Sequence, residues 1–428
     1  MTEIQDTDNF ITELLEATNS DPAGLLQYLH AVQYRYSYIP EVAVRQLASA
    51  LQLTEAGVRG VIGFYSFLHD SPRGDYDILF SDSITDHMCN SRALLDDLCM
   101  RLGVEPGTPR ADGRVSVDAT SCTGMCDQGP ALLVNGRVVT KLDSYRVMNI
   151  ATLIENRAPL EEWPSEWFRV EDNIRRRDIL LSKEPCHGGA LKELIEKGAD
   201  TIFEELEASG LRGRGGAGFN TALKWKFCRE AGGSGEPNDR VVICNADEGE
   251  PGTFKDRVLL NSHADDVFEG MTVCAGIIGA RQGFLYLRGE YLYMKPALDE
   301  TLAKRRRDGL LGRDILGVSG FDFDIEIHMG AGAYICGEES ALIESLEGKR
   351  GVPRNRPPFP VTHGYLGKPS VVNNVETFLA AAAIAAEGAD WFTAVGTGES
   401  PGTKLHRISG DCDRPGLYEF PFGVTIQQ

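Results

Sequence analysis

The first part of the chain has apolar residues at helical spacing. Leu29 and Val32 illustrate the three- to four-residue interval that places side chains on one face of a helix. Pro40 and Thr54, the latter a residue type that caps helices, divide the segment. We therefore expect residues 1–70 to form several short helices.

Residues 71–155 follow a different pattern, which ends in a hairpin. The dipeptide Asn135-Gly136 is a typical two-residue hairpin turn between short apolar runs. The predicted elements are a strand at 76–80, a helix at 91–103, a strand at 115–119 and two short strands around the turn. This order predicts a small α/β domain.

The rest of the chain indicates a second α/β domain. Residues 156–185 are charged and lack clean periodicity, which predicts a linker packed over a surface. Helix-like stretches of crossover length then separate predicted strands at 240–246, 283–289 and 321–328. We expect this domain to cover residues 186–401. Residues 402–428 read as strands of a further domain that is not completed. The predicted fold class is α/β multidomain.

The length and net charge of the chain indicate how many domains it has and which classes of partner it excludes. A chain of 428 residues exceeds what one core usually covers, so two or three domains are expected. A net charge of −20 argues against nucleic acid as a partner. The sequence contains no apolar run of about 18 residues and no signal peptide at its start. We expect a soluble cytoplasmic protein without direct membrane insertion.

Cysteine and glycine usage add candidate chemistry. The ten cysteines are scattered, which fits free thiols in a reducing compartment plus a possible metal cluster. Only Cys122 and Cys126 form a close pair. The 47 glycines exceed the roughly 7% of average usage and concentrate in loops after residue 210. Backbone there is expected to come close to a ligand.

The first such loop, residues 212–219, contains the dinucleotide-binding spacing Gly213, Gly215 and Gly218. That fingerprint requires a preceding strand, but residues 201–209 are predicted to be helical. The alternatives are a flexible surface loop and a phosphate-binding loop. Basic neighbours favour anion binding: they are Arg212, Arg214, Lys224 and Lys226.

The second loop, residues 244–256, follows a predicted strand and is acidic. Its carboxylates are Asp247, Glu248, Glu250 and Asp256. The carboxyl end of a strand is where open α/β sheets bind ligands, and carboxylates there suit ribose or ribityl hydroxyls or bound water. The alternative is a solvated acidic turn.

Two more segments carry candidate polar groups. Residues 329–348 read as a strand end, a glycine loop and a helix opened by Glu338 and Glu339. An anion or carbonyl oxygen suits such a helix start, although acids are common in any first turn. In residues 369–377 the adjacent amides of Asn373 and Asn374 suit a ligand, or simply begin a helix.

Together, these four segments closely resemble the flavin-binding NADH dehydrogenase subunit of respiratory complex I and its relatives in soluble NAD-linked hydrogenases and formate dehydrogenases. The resemblance runs from about residue 186 to the end. Residues 9–155 resemble the partner subunit, a helical segment with a thioredoxin-like domain that usually holds a 2Fe-2S cluster. A single chain that contains both regions, together with the segments DEGEPGTFKDRVLL and LRGEYLYMKPALDETL, is most similar to large diaphorase subunits of NAD-reducing hydrogenases.

The resemblance implies FMN and NAD as cofactors. The implied flavin pocket consists of Gly213, Arg214, Gly215, Gly216, Asn245, Asp247, Glu248, Tyr334, Gly337, Glu338, Asn373 and Asn374. The implied NADH contacts are Phe219, Lys224, Glu250, Glu339 and Phe359. Hydride would move from nicotinamide C4 to flavin N5, with the protein supplying orientation and charge. The resemblance implies catalytic roles for Glu248 and Glu339, and Glu248 would tune the reduction potential of the flavin.

The resemblance also implies partners and further clusters. An iron-sulfur diaphorase small subunit and hydrogenase subunits are the expected partners. Alternatives are the same module in a formate dehydrogenase or complex I, or a non-catalytic assembly subunit. The family's three-cysteine 4Fe-4S motif is expected in the full-length protein, but after Glu339 this chain has only Cys412. We therefore expect a fragment without most of a ubiquitin-like domain and without the C-terminal cluster domain.

The N-terminal cluster site departs from the family. Cys122 and Cys126 match one ligand pair, whereas Ser81 and Asp86 align with the other. Serine and aspartate lack the soft sulfur that iron-sulfur clusters favour. Either the domain holds no 2Fe-2S cluster, or an atypical one uses Cys89 as third ligand with Asp86 or His87 as fourth. Cys89 and Cys99 are otherwise small core residues.

Overall fold

A computed structural model describes residues 3–18, 20–231 and 239–427. The helices, α1 to α17, are Glu3–Ala17, Leu25–Tyr36, Glu41–Ala50, Glu55–Ile62, Ile84–Met88, Ser91–Leu102, Ser144–Glu155, Gly189–Lys197, Ala199–Ala208, Thr221–Glu230, Lys255–Ser262, Ala264–Ile278, Lys295–Arg307, Glu339–Leu346, Pro360–His363, Val375–Glu387 and Ala389–Thr393. The strands, β1 to β11, are Tyr76–Ser81, Val115–Thr120, Leu132–Val134, Arg137–Val139, Ile174–Arg176, Val241–Ala246, Gln282–Leu287, Asp324–Met329, Ser370–Asn374, Thr403–Ile408 and Gly416–Pro421.

The first α/β domain, expected to be thioredoxin-like, contains a mixed four-stranded sheet in the order β2-β1-β3-β4. Strands β1 and β2 are parallel, and β3 and β4 form an antiparallel hairpin. The predicted turn lies between these hairpin strands, and both its residues, Asn135 and Gly136, have positive φ angles of 48° and 77°. Such angles match the twist of the flanking strands, which explains why asparagine and glycine occupy this turn.

Part of the expected linker belongs to the core of this domain. Trp163 and Trp167 are buried there, and the ring of Trp163 stacks on Tyr76 with centroids 6.1 Å apart. Further along, β5 pairs in parallel with β11 in a three-stranded sheet of order β10-β11-β5. One of the strands after residue 402, β11, therefore pairs with a strand of the 156–185 segment, and β10 pairs with β11.

The second domain is built on a four-stranded parallel sheet in the order β8-β7-β6-β9. Three of its strands were predicted, but β9 was not. Alternate residues of β6 enter two different cores: Val242 packs on the side of α12 and α16, and Val241 on the side of the N-terminal helices. Burial on both faces explains the continuous apolar run of this strand.

The two helices on one face of the sheet pack closely. Gly270 of α12 faces α16, where an added Cβ would lie 2.0 Å from the Phe378 carbonyl oxygen. Only glycine permits this approach. On the opposite face, helices α1 to α4 share a core with the sheet, so the N-terminal segment is part of the support of the second domain.

Candidate functional site

The candidate site lies where the parallel strands of the second domain end. Strands β6, β7 and β8 follow one another across the sheet, whereas β9 lies on the other side of β6. The direction of strand order therefore reverses between β6 and β9, the position where open α/β sheets bind ligands. Asn245 of β6 pairs with Asn374 of β9 at this point.

The glycine loop is held against these strand ends rather than free on the surface. Its ends are joined by an antiparallel bridge between Arg212 and Asn220. The Arg214 N–H donates to the Thr377 hydroxyl at 2.9 Å, and its guanidinium donates to the Thr403 carbonyl at 3.0 Å. A helix, α9, precedes the loop, as predicted, so it is not a conventional Rossmann turn.

At two positions of this loop a side chain would be unfavourable, either because a neighbour is close or because of the backbone conformation. A Cβ on Gly215 would lie 3.3 Å from the side chain of Asn374. Gly216 has a φ angle of 124°, in the region that side chains rarely adopt. The loop thus presents bare backbone beside the strand ends, which is the surface that stacked rings or a phosphate require.

The two asparagines have different surroundings. Asn373 accepts a hydrogen bond from the Trp225 indole at 2.9 Å. Asn374 accepts from Lys255 at 2.8 Å and donates to Asp256 at 2.6 Å. The Asn374 amide is therefore already engaged by Asp256, and a ligand role for the two asparagines stays a prediction.

The acidic loop and the loop after β8 meet each other. The Asn245 amide donates to the Gly337 carbonyl at 2.9 Å.

Two carboxylates of the acidic loop have raised pKa values. Burial raises the pKa of Asp247 to about 8 and, together with the nearby Asp256 carboxylate, that of Glu248 to about 7. Among the described residues, one oxygen of each carboxylate is buried without a hydrogen-bond partner. Such oxygens are suited to accept hydrogen bonds from a polar ligand.

The residues expected to hold NADH lie on two sides of this site. Lys224 donates to Glu339 at 2.8 Å and to the Val372 carbonyl at 2.7 Å. On the other side, the Tyr334 hydroxyl donates to Glu250 at 2.5 Å, and this contact raises the pKa of Tyr334.

Exposed aromatic side chains accompany these contacts. Phe219, Tyr334 and Phe359 are each about half exposed, which is unusual for large apolar side chains and provides surfaces for stacking. Glu338 instead caps α14 by accepting from the N–H groups of Ser340 and Ala341, each at 3.0 Å. Glu338 therefore has a structural role in addition to the proposed ligand role.

Several residues around the site were missed or left without a role. They are Trp225, Lys255, Asp256, Arg288, Tyr291, Arg356 and Thr377. Lys255 and Asp256 lie within the acidic loop, residues 244–256, and Arg288 and Tyr291 lie within the sequence LRGEY. Their positions inside segments that carry the family resemblance could have identified them as site residues. Arg356 lies 3.2 Å from both Glu338 and Glu339, but nothing in its local sequence indicates this.

The N-terminal cluster position holds a hydrogen-bonded polar pair. Ser81 donates to Asp86 at 2.6 Å and accepts from the Thr123 N–H at 3.1 Å. The thiols of Cys122 and Cys126 lie 3.2 Å apart and are buried, whereas Cys89 is exposed.

These residues do not fit a 2Fe-2S cluster. In the described part of the chain, no three His, Cys, Asp or Glu side chains are grouped so that they could hold a metal ion. The structure therefore does not assemble the candidate ligand set Cys89, Cys122 and Cys126. Cys89 is exposed, whereas the other two cysteines are buried. Oδ2 of Asp86 accepts from the hydroxyls of Ser81 and Ser83, and its Oδ1 is buried without a hydrogen-bond partner among the described residues.

Across the ranges 3–18, 20–231 and 239–427, no helix has both the length and the apolar character needed to cross a membrane.

Two family models match the chain. One, described as the Nuo51 FMN-binding domain, matches residues 206–383. The other, described as thioredoxin-like [2Fe-2S] ferredoxin, matches residues 11–155. The two parts of the resemblance inferred from sequence are therefore confirmed as separate matches.

Individual proteins resemble the chain to different extents. It is 45% identical to the alpha subunit of the NAD-reducing hydrogenase HoxS of Cupriavidus necator, over 98% of this chain and 71% of that protein. It is 46% identical to one of the subunits of the NADH-quinone oxidoreductase of Escherichia coli, over 56% of this chain and 53% of that protein. A crystal structure of an NAD+-reducing [NiFe]-hydrogenase in the air-oxidized state is similar with a TM-score of 0.87 and 45% identity, covering 95% of this chain and 69% of that chain.

Proposed function

The chain belongs to the family that contains the alpha subunit of the NAD-reducing hydrogenase HoxS, and from this membership we propose that it is the NADH-oxidising, FMN-binding module of a larger electron-transfer enzyme. The observation that carries the proposal is the meeting of the glycine loop with the ends of β6 and β9. The segments that meet there carry backbone without side chains, the half-exposed ring of Phe219, and the carboxylates of Asp247 and Glu248, each with one oxygen that has no hydrogen-bond partner among the described residues.

The described residues fit FMN. Gly215 carries no side chain beside Asn374, and a Cβ on Gly216 would meet no atom of the described residues within 4 Å, which leaves room for a flat ring system. Asp247 and Glu248 supply acceptors for ribityl hydroxyls or ring N–H groups. When bound, FMN supplies hydride acceptance from NADH and release of single electrons. The chain itself supplies binding and orientation, and the ionised form of Glu248 places a negative charge that opposes electron uptake by a nearby flavin.

The second group of residues fits NADH. Lys224 and Glu339 are an ion pair whose members can bond ribose or phosphate oxygens and hydroxyls of a dinucleotide. Phe219 and Phe359 offer exposed faces for stacking on adenine. Glu250 contributes negative charge, which disfavours the additional phosphate of NADPH.

We assign the module to an NAD-reducing hydrogenase, with an iron-sulfur diaphorase small subunit and hydrogenase subunits as partners. The similarity to the HoxS alpha subunit spans both domains, whereas the similarity to the quinone oxidoreductase protein is restricted to about half of the chain. Formate dehydrogenase and complex I stay alternatives. A cytoplasmic location is part of the proposal, supported by ten free cysteines, as expected in a reducing compartment.

The test is flavin binding and turnover. The purified chain incubated with FMN is expected to show a flavin absorption spectrum and to reduce a viologen with NADH. Gly215→Val should abolish flavin binding, because its side chain would collide with Asn374. Gly398→Val is the matched control, since no atom of the residues that the structure describes lies within 4 Å of a Cβ at that position. A folded wild-type chain that stays colourless with FMN contradicts the proposal.

A further inference from the structure

A loop of the thioredoxin-like domain packs against the turn that carries Glu248. Two buried arginines of the second domain connect them. Arg288 donates to the Cys122 carbonyl at 2.6 Å and also to the Glu248 carbonyl. Arg257 donates to the Asp127 carboxylate at 2.8 Å, while its backbone N–H donates to the Glu248 carboxylate at 3.2 Å. The cysteine loop and the acidic loop are therefore held by the same two residues.

Tyr291 makes a third connection. Its side chain is fully buried, and its hydroxyl donates to Oε2 of Glu248 at 3.3 Å. The ring lies over Gly124 of the cysteine loop, where an added Cβ would be 2.2 Å from the tyrosine hydroxyl. Gly124 also has a φ angle of 75°. Glycine at this position thus leaves the space that the Tyr291 hydroxyl occupies beside Glu248.

The donors to Glu248 act on one oxygen. Oε2 accepts from the N–H groups of Asp256 and Arg257 and from Tyr291, whereas Oε1 has no partner among the described residues. Hydrogen bonds to a carboxylate favour its ionised form. Tyr291 is the only side chain among these three donors, so its removal changes the charge of Glu248 without altering the backbone.

We propose that Tyr291 is a positioning residue for Glu248, and that Gly124 of the thioredoxin-like domain holds Tyr291 in place, so that the N-terminal domain helps to set the reduction potential of the flavin. The inference rests on the proposed function, because it requires FMN in the pocket. The ionised form of Glu248 opposes electron uptake by the flavin. Loss of the tyrosine hydroxyl reduces that negative charge, and the flavin becomes easier to reduce.

The experiment measures the FMN midpoint potential of the full chain by spectroelectrochemistry. Tyr291→Phe is expected to raise the potential by up to about 30 mV, which is a tenfold change in the reduction equilibrium of a two-electron couple. Gly124→Ala should shift the potential in the same direction, because its methyl group displaces the hydroxyl. Tyr76→Phe is the matched control: its hydroxyl donates to the Ala158 carbonyl at 2.7 Å, away from Glu248, and no shift is expected.

A second background separates charge from general loosening of the fold. In Glu248→Gln, the shift caused by Tyr291→Phe should disappear, because no carboxylate is left to lose charge. An equal shift in both backgrounds, or a Tyr291→Phe potential equal to that of wild type, overturns the inference while FMN binding leaves the proposed function intact. A wild-type chain that binds no FMN overturns both.

Discussion

Replacing Glu339 with glutamine tests the assignment of the NADH site. In the structure, Glu339 accepts a hydrogen bond from Lys224 at 2.8 Å, and the Arg356 guanidinium lies 3.2 Å from its other oxygen. This pair lies outside the glycine loop. We expect Glu339→Gln to raise the KM for NADH while the flavin content stays at the wild-type level.

The exposure of the pair determines the expected magnitude. A hydrogen bond to a charged group is worth about 1.5–3 kcal/mol. The side chains of Lys224 and Glu339 are 18% and 23% exposed, so water screens the interaction and the lower end of that range applies. Since about 1.4 kcal/mol corresponds to a factor of ten in affinity, KM should rise about tenfold.

Steady-state viologen reduction gives KM, and extraction of the chromophore gives the flavin content. Lys183→Gln is the matched control, because Lys183 forms a similar partly exposed pair with Glu387 at 2.6 Å, and neither residue belongs to the candidate site. An unchanged KM refutes the assignment. A loss of FMN as large as the loss of NADH affinity also refutes it, because Glu339 would then belong to the flavin pocket.

Three other outcomes are expected. NADH should be the preferred substrate over NADPH, because the carboxylate of Glu250 repels a 2′-phosphate; faster turnover of NADPH at low concentration would contradict this. Iron and sulfide analysis with electron paramagnetic resonance should find no stoichiometric 2Fe-2S cluster in the chain, since Ser81 and Asp86 stand at two of the four ligand positions and are hydrogen-bonded to each other; a full 2Fe-2S signal would show the interpretation to be wrong. Asp127→Ala should lower the free energy of unfolding by about 3–5 kcal/mol, because it leaves the buried Arg257 guanidinium unpaired; a loss below about 1 kcal/mol in urea denaturation would not fit.

The sequence by itself determined the local elements and the type of ligand site. Strands β6 and β7 follow from short apolar runs, because both of their faces are buried, whereas β8 follows from alternation, because its first half is exposed on one face. The glycine and acidic loops stand out because their residue types are contiguous. Strand β9 was missed, since it spans only Ser370–Asn374 and runs directly into a helix whose asparagine cap dominates the local pattern.

Only the tertiary structure decided which of these segments meet. Arg214 and Thr377 are separated by 163 positions, and no local preference encodes their hydrogen bond; the reversal of strand order beside β6 brings them together. In the same way, the structure explains why Gly124 has no side chain, because Tyr291 of another domain packs over this position. Periodicity and propensity act over a few neighbouring residues, whereas these contacts depend on how complete sheets and helices pack, and that packing joins parts of the chain that are distant in sequence.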